Sequence, residues 1–126
     1  MTARILVVDD DRVLRGALRI VLEGAGYHVM EAPDGEAGLQ LYREQGADLV
    51  VVDLFMPERD GLEMIRALRT AIPQPKIIAM SGGGRFGLLD ALEAAAAFGA
   101  SRTLRKPFES SVLLAAIDQL LGGSAP

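Results

Sequence analysis

Short unbroken apolar runs alternate along this chain with longer stretches in which apolar residues recur every three or four positions. Ile5-Leu-Val-Val8 and Leu49-Val-Val-Val52 are continuous and rich in β-branched residues, the pattern of strands covered on both faces. Residues 12–24 set Val13, Leu14, Ala17, Leu18, Val21 and Leu22 at helical spacing. Residues 34–45 do the same with Ala37, Leu39, Leu41 and Tyr42. The complete pattern predicts strands at 4–8, 27–31, 48–52, 76–80 and 101–105, and helices at 12–24, 34–45, 60–70, 86–98 and 109–121. Asp11 and Asp60 stand where the first and third helices need an N-cap. Gly24 and Gly26 stop the first helix, Ile72-Pro-Gln-Pro is a loop, and Pro107 ends the fifth strand.

Five alternating strand–helix units imply an α/β fold, with a parallel sheet, right-handed crossovers and helices on both faces. The expected architecture is (βα)5, doubly wound, with flavodoxin-like strand order 2-1-3-4-5. That order places a crevice between strands 1 and 3, at the carboxyl ends of the strands. Four of the five strands end on a side chain with chemistry to offer: Asp9-Asp10, Asp53, Ser81 and Lys106. Three carboxylates in one cleft repel each other unless a cation joins them or they take up protons. Hard oxygen ligands suit Mg2+, which binds through one or two carboxylates and phosphate oxygens. Lys106 adds a fixed positive charge, and Ser81 adds a hydroxyl donor. A carboxylate can itself be the nucleophile in phosphoryl transfer, and Asp53, alone on the central strand, is the candidate.

Composition narrows the alternatives. The chain has 126 residues, enough for one domain of ordinary size, and half of them are hydrophobic. We expect a single domain over 1–126, with its core at about 3–121 and residues 122–126 as a tail or the start of a linker. Thirteen basic and seventeen acidic residues give a net charge of −4, against a nucleic-acid or anionic-membrane surface. With no cysteine, disulfides, thiolate zinc sites and a cysteine nucleophile are excluded. No signal-peptide pattern opens the sequence and no apolar run is long enough to span a membrane, so a cytoplasmic location is expected. His28, on the second strand away from the crevice, reads as structural or exposed. Arg15 and Arg19 share a helical face and read either as solvated charge or as a docking point for a kinase's helical bundle. Residues 94–97, all alanine, read as a packing or contact face.

The segments Ile-Leu-Val-Val-Asp-Asp (5–10), Val-Val-Asp-Leu-Phe-Met-Pro (51–57), Met-Ser-Gly (80–82) and Lys-Pro-Phe (106–108) resemble the receiver domain of bacterial two-component response regulators. The likeness covers about residues 3–121, in the family's order and spacing. It implies that Asp53 accepts a phosphoryl group from a phosphohistidine of a sensor histidine kinase or histidine phosphotransfer protein. It implies Mg2+ held by Asp10 and Asp53, by Asp9 through water, and by the backbone carbonyl of Phe55. Lys106 would pair with the acids and then with a phosphoryl oxygen. Ser81, with Gly82 beside it, would bind another and draw its loop inward. The Lys106–Pro107 peptide would be cis. Such a domain is a signalling switch, not an enzyme, although it assists its own phosphorylation and slow dephosphorylation. The output would pass to a downstream effector protein or a covalently linked output domain. A homodimer through the fourth helix, fifth strand and last helix is a further implied arrangement. The chain would be a stand-alone regulator or a receiver cut from a larger protein.

Three positions depart from the family pattern. Thr103 stands where the family often has an aromatic residue that reports phosphorylation, so another residue such as Phe86 would have to serve. Phe55 stands where a polar residue often places the hydrolytic water, and its bulk is expected to slow dephosphorylation. Gly82, Gly83 and Gly84 make the loop after strand 4 costly to order. Two other functions compete. A small aspartyl-phosphate hydrolase would need an acid two residues after Asp53, where Phe55 stands. Gly82–Gly87 matches a dinucleotide fingerprint, but it follows strand 4 and the next strand ends on Arg105-Lys106 instead of an acid.

Overall fold

Unbroken apolar strands need cover on both faces, and alternate residues of each strand supply it. The computed structural model describes residues 2–54, 60–81, 96 and 99–122. Its strands are β1 (Arg4–Val8), β2 (His28–Ala32), β3 (Leu49–Asp53), β4 (Lys76–Ser81) and β5 (Arg102–Arg105). Its helices, among the described residues, are α1 (Arg12–Gly24), α2 (Gly35–Gln45), α3 (Asp60–Leu68) and α4 (Ser110–Leu120). The sheet is parallel throughout, in the order β2-β1-β3-β4-β5. The expected helix at 86–98 lies outside the described residues, apart from the exposed Ala96.

Two cores result. Leu6, Val8, Val50, Val52, Ile77 and Ala79 face Met64, Ile65 and Leu68 of α3. Their strand neighbours Ile5, Val7, Leu49, Val51, Ile78 and Met80 face Leu18 and Leu22 of α1 and Leu113, Ala116 and Ile117 of α4. All these sheet residues are fully buried. Their alternation buries both faces of the sheet along β1, β3 and β4.

Element ends differ slightly from the sequence reading, for local reasons. Strand β2 starts one residue late because Tyr27 N–H still bonds the α1 carbonyl of Leu22. It extends to Ala32, which pairs with Val8. Asp48 stays outside β3, where its carboxylate accepts the N–H of Arg4 at 2.7 Å. Helix α3 stops at Leu68, and Thr70 folds back to bond the carbonyl of Ala67. Asp11 and Asp34 cap α1 and α2 through their side chains. The Lys106–Pro107 peptide is cis as expected, and so is Ile72–Pro73, which the sequence reading missed.

Candidate functional site

The register of the sheet brings the reactive strand ends to one pole. Asp53 is the last residue of β3, where it pairs with Met80. Ser81 is the last residue of β4, and its carbonyl accepts the N–H of Lys106 at 2.7 Å. Asp9, just past β1, bonds through its N–H to the carbonyl of Ala32 at 3.2 Å. The backbones of Asp9, Asp53, Ser81 and Lys106 are thus held by sheet hydrogen bonds.

Asp9, Asp10 and Asp53 each place one carboxylate oxygen so that all three oxygens lie within 4.8 Å of one another. Asp9 is fully buried and Asp53 almost so, whereas Asp10 is exposed. Buried carboxylates need partners. Asp9 Oδ1 accepts the N–H of Asp11 at 2.9 Å, and Oδ2 accepts Lys106 Nζ at 2.9 Å. The same ammonium lies 3.6 Å from Asp53 Oδ2. Among the described residues, Lys106 pairs with two of the three clustered carboxylates, those of Asp9 and Asp53. Hard, negatively charged oxygen donors are the donor set that Mg2+ takes. Ser81 Oγ is fully buried and has no hydrogen-bond partner among the described residues. An orphaned donor at the rim of an acid cluster is what an anionic ligand would satisfy.

Other expected residues fall elsewhere. Thr103 is half-buried in the middle of β5, paired with Ala79, away from the strand ends. His28 is exposed at the start of β2, at the opposite pole. Phe55, Gly82 and Phe86 lie outside the described residues, as does the fingerprint 82–87.

Arg15 is a correction. It is not a solvated charge: its side chain is only 13% exposed. Nε donates to Glu31 Oε1 at 3.2 Å and Nη1 to the backbone carbonyl of Asp9 at 2.7 Å. Arg19, more exposed, donates to Glu31 Oε2 at 2.6 Å and to Glu23 at 3.3 Å. Sequence reasoning passed over Glu31, whose signal was a lone acid near the end of an otherwise apolar strand.

A family model described as response regulator receiver domain matches residues 5–118. "Protein CcdB" of Bacillus subtilis is 35% identical over 121 residues, which cover 94% of this chain and 98% of that protein. "Response regulator MprA" of Mycolicibacterium vanbaalenii is 40% identical over 130 residues, covering all of this chain and 53% of its own length. The chain thus spans about half of that second relative. A crystal structure of a response regulator receiver domain protein from Clostridium thermocellum superposes with a TM-score of 0.86 at 30% identity, covering 95% of this chain and 94% of that one.

Proposed function

This chain belongs to the response regulator receiver domain family, and on that premise we propose that it is a Mg2+-dependent switch whose phosphoryl acceptor is Asp53. The donor is a phosphohistidine of a sensor histidine kinase or phosphotransfer protein. An Asp53 carboxylate oxygen forms the new O–P bond as the donor's N–P bond breaks, and the electron pair returns to the imidazole. The observation that best supports this reading is Asp53 at a strand end beside Asp9, Asp10 and Lys106.

The residues fit the metal. Asp10 and Asp53 would hold it, with Asp9 through water and the carbonyl of Phe55. Bound there, Mg2+ would offset the charge of the acids and of the incoming phosphoryl group. The protein's own groups do the rest. Lys106 neutralises part of the cluster now, and its ammonium can turn from Asp53 to a phosphoryl oxygen. The orphaned Ser81 hydroxyl can donate to another. Satisfying that buried donor supplies a differential interaction that biases the β4 end toward a second state. The change would be read by an effector protein or a linked output domain. A cytoplasmic location agrees with these partners, and among the described residues no helix is long and apolar enough to cross a membrane.

The test is intact mass after incubation with acetyl phosphate, with and without Mg2+, for wild type and Asp53→Asn. A gain of one phosphoryl group that requires both Mg2+ and Asp53 is expected. Labelling of Asp53→Asn equal to wild type would reject the assignment. So would no labelling of wild type by either acetyl phosphate or a phosphorylated kinase.

A further inference from the structure

Arg15 has a part-buried guanidinium that the proposed phosphoryl chemistry does not use. It lies on the first turns of α1, and it ties two elements together at the edge of the acid cluster. Nη1 holds the carbonyl of Asp9 at 2.7 Å, and Nε holds Glu31 of β2 at 3.2 Å. Glu31 is held in turn by Arg19 at 2.6 Å.

We propose that Arg15 is a positioning residue for the metal site, fixing the Asp9–Asp10 peptide and through it the carboxylate of Asp10. The inference rests on the reading of Asp10 as a metal ligand. The Asp9 carbonyl belongs to the rigid plane that carries the backbone nitrogen of Asp10. Fixing its oxygen fixes the direction from which Asp10 leaves the chain. Asp10 needs this support because its side chain is exposed. Asp9 does not, because its own carboxylate is held at both oxygens.

Charge argues the same way. A guanidinium beside three carboxylates weakens their pull on a cation. Glu31 and Glu23 together cancel the charges of Arg15 and Arg19, so the group supplies geometry with no net charge. A positioning role and an electrostatic one therefore predict opposite signs when Arg15 is removed.

The experiment is Mg2+ titration by calorimetry, since the chain has no tryptophan to report binding. It compares wild type, Asp10→Asn, Arg15→Ala and Arg15→Ala/Glu31→Gln, each with a metal-free melting temperature. Arg15→Ala is expected to weaken Mg2+ binding roughly tenfold, as loss of a group that orients a metal ligand does, although it removes a repelling charge. The double variant restores the wild-type net charge and is expected to stay weak. Arg15→Ala binding as tightly as wild type, or tighter, overturns the proposal. So does recovery of binding in the double variant, which would trace the loss to the Glu31 carboxylate that Arg15 no longer holds and not to the lost hold on Asp9. Should Arg15→Ala not fold, Arg15→Gln keeps the packed stem and takes its place with the same expected direction. Wild type without Mg2+ affinity, or Asp10→Asn binding like wild type, would overturn the reading of Asp10 and this inference with it. Weakening in Asp10→Asn but not in Arg15→Ala would overturn the inference alone.

Discussion

A buried hydroxyl with no partner, as Ser81 has none among the described residues, costs stability that an alanine would not. The penalty for an orphaned buried polar group is about 1–3 kcal/mol. Ser81→Ala removes the oxygen and leaves the sheet bonds of β4 intact. Its melting temperature is therefore expected to equal or exceed that of wild type. The phosphorylated state should respond in the opposite sense, because a phosphoryl oxygen loses its donor. Thermal melting, together with the change in melting temperature on phosphorylation, checks both halves. A clear loss of stability in the unphosphorylated variant would show that Ser81 is held by a partner and is not poised for one. Lys106 differs from Ser81: its ammonium is already engaged by Asp9 and Asp53, so in the proposed switch it would exchange partners.

At the level of elements, the backbone at Asp53 depends on how closely α3 approaches the end of β3. A Cβ on Gly61 would lie 2.2 Å from the backbone carbonyl oxygen of Asp53 and 2.9 Å from Leu54 Cα. Backbone cannot yield as a side chain does, so Gly61→Ala must displace α3 or the Asp53 peptide. A Cβ on Gly38 would meet Met64 Cε at 2.8 Å and Val8 Cγ2 at 2.9 Å, and the methionine end can swing aside. Gly61→Ala is expected to cost about 3 kcal/mol, and Gly38→Ala about 1 kcal/mol or less, after the better helix propensity of alanine is counted. Denaturant unfolding measures both, and equal costs would refute the argument. The sequence showed the elements and the four reactive strand ends, because buried strands must be apolar and because reactive residues stood out at the ends of those runs. It did not show the close approach at Gly61. It did not show the engagement of Arg15 with Glu31 either, since that pair joins α1 to β2 and depends on how the two elements pack. The i, i+4 spacing of Arg15 and Arg19 was visible, but their shared acid was not.

The molecule as a whole has two unlike poles. At the amino ends of the strands, Arg4, Tyr42, Asp48 and Pro73 line a cavity of about 740 Å³. There the hydroxyl of Tyr42 donates to the carbonyl of Pro73 at 2.8 Å. Burial, and then the charge of Asp48, raise the pKa of that phenol above its ordinary value. At the carboxyl ends, among the described residues, three carboxylates cluster beside Lys106 in a chain of net charge −4. The acid cluster exists only when β1 and β3 are assembled side by side, so a cation that bridges it binds the native state and not the unfolded chain. Such binding stabilises by RT ln(1 + [L]/Kd), about 1.4 kcal/mol at tenfold excess over Kd. For a domain of this size that is a rise of about 4–7 °C in melting temperature. The rise is expected with MgCl2 and should be largely lost in Asp10→Asn. Sodium chloride of equal ionic strength screens charges without bridging them and should give a smaller shift. Equal shifts with the two salts, or an undiminished shift in Asp10→Asn, would mean that the cluster relaxes by general screening and does not act as a specific cation site.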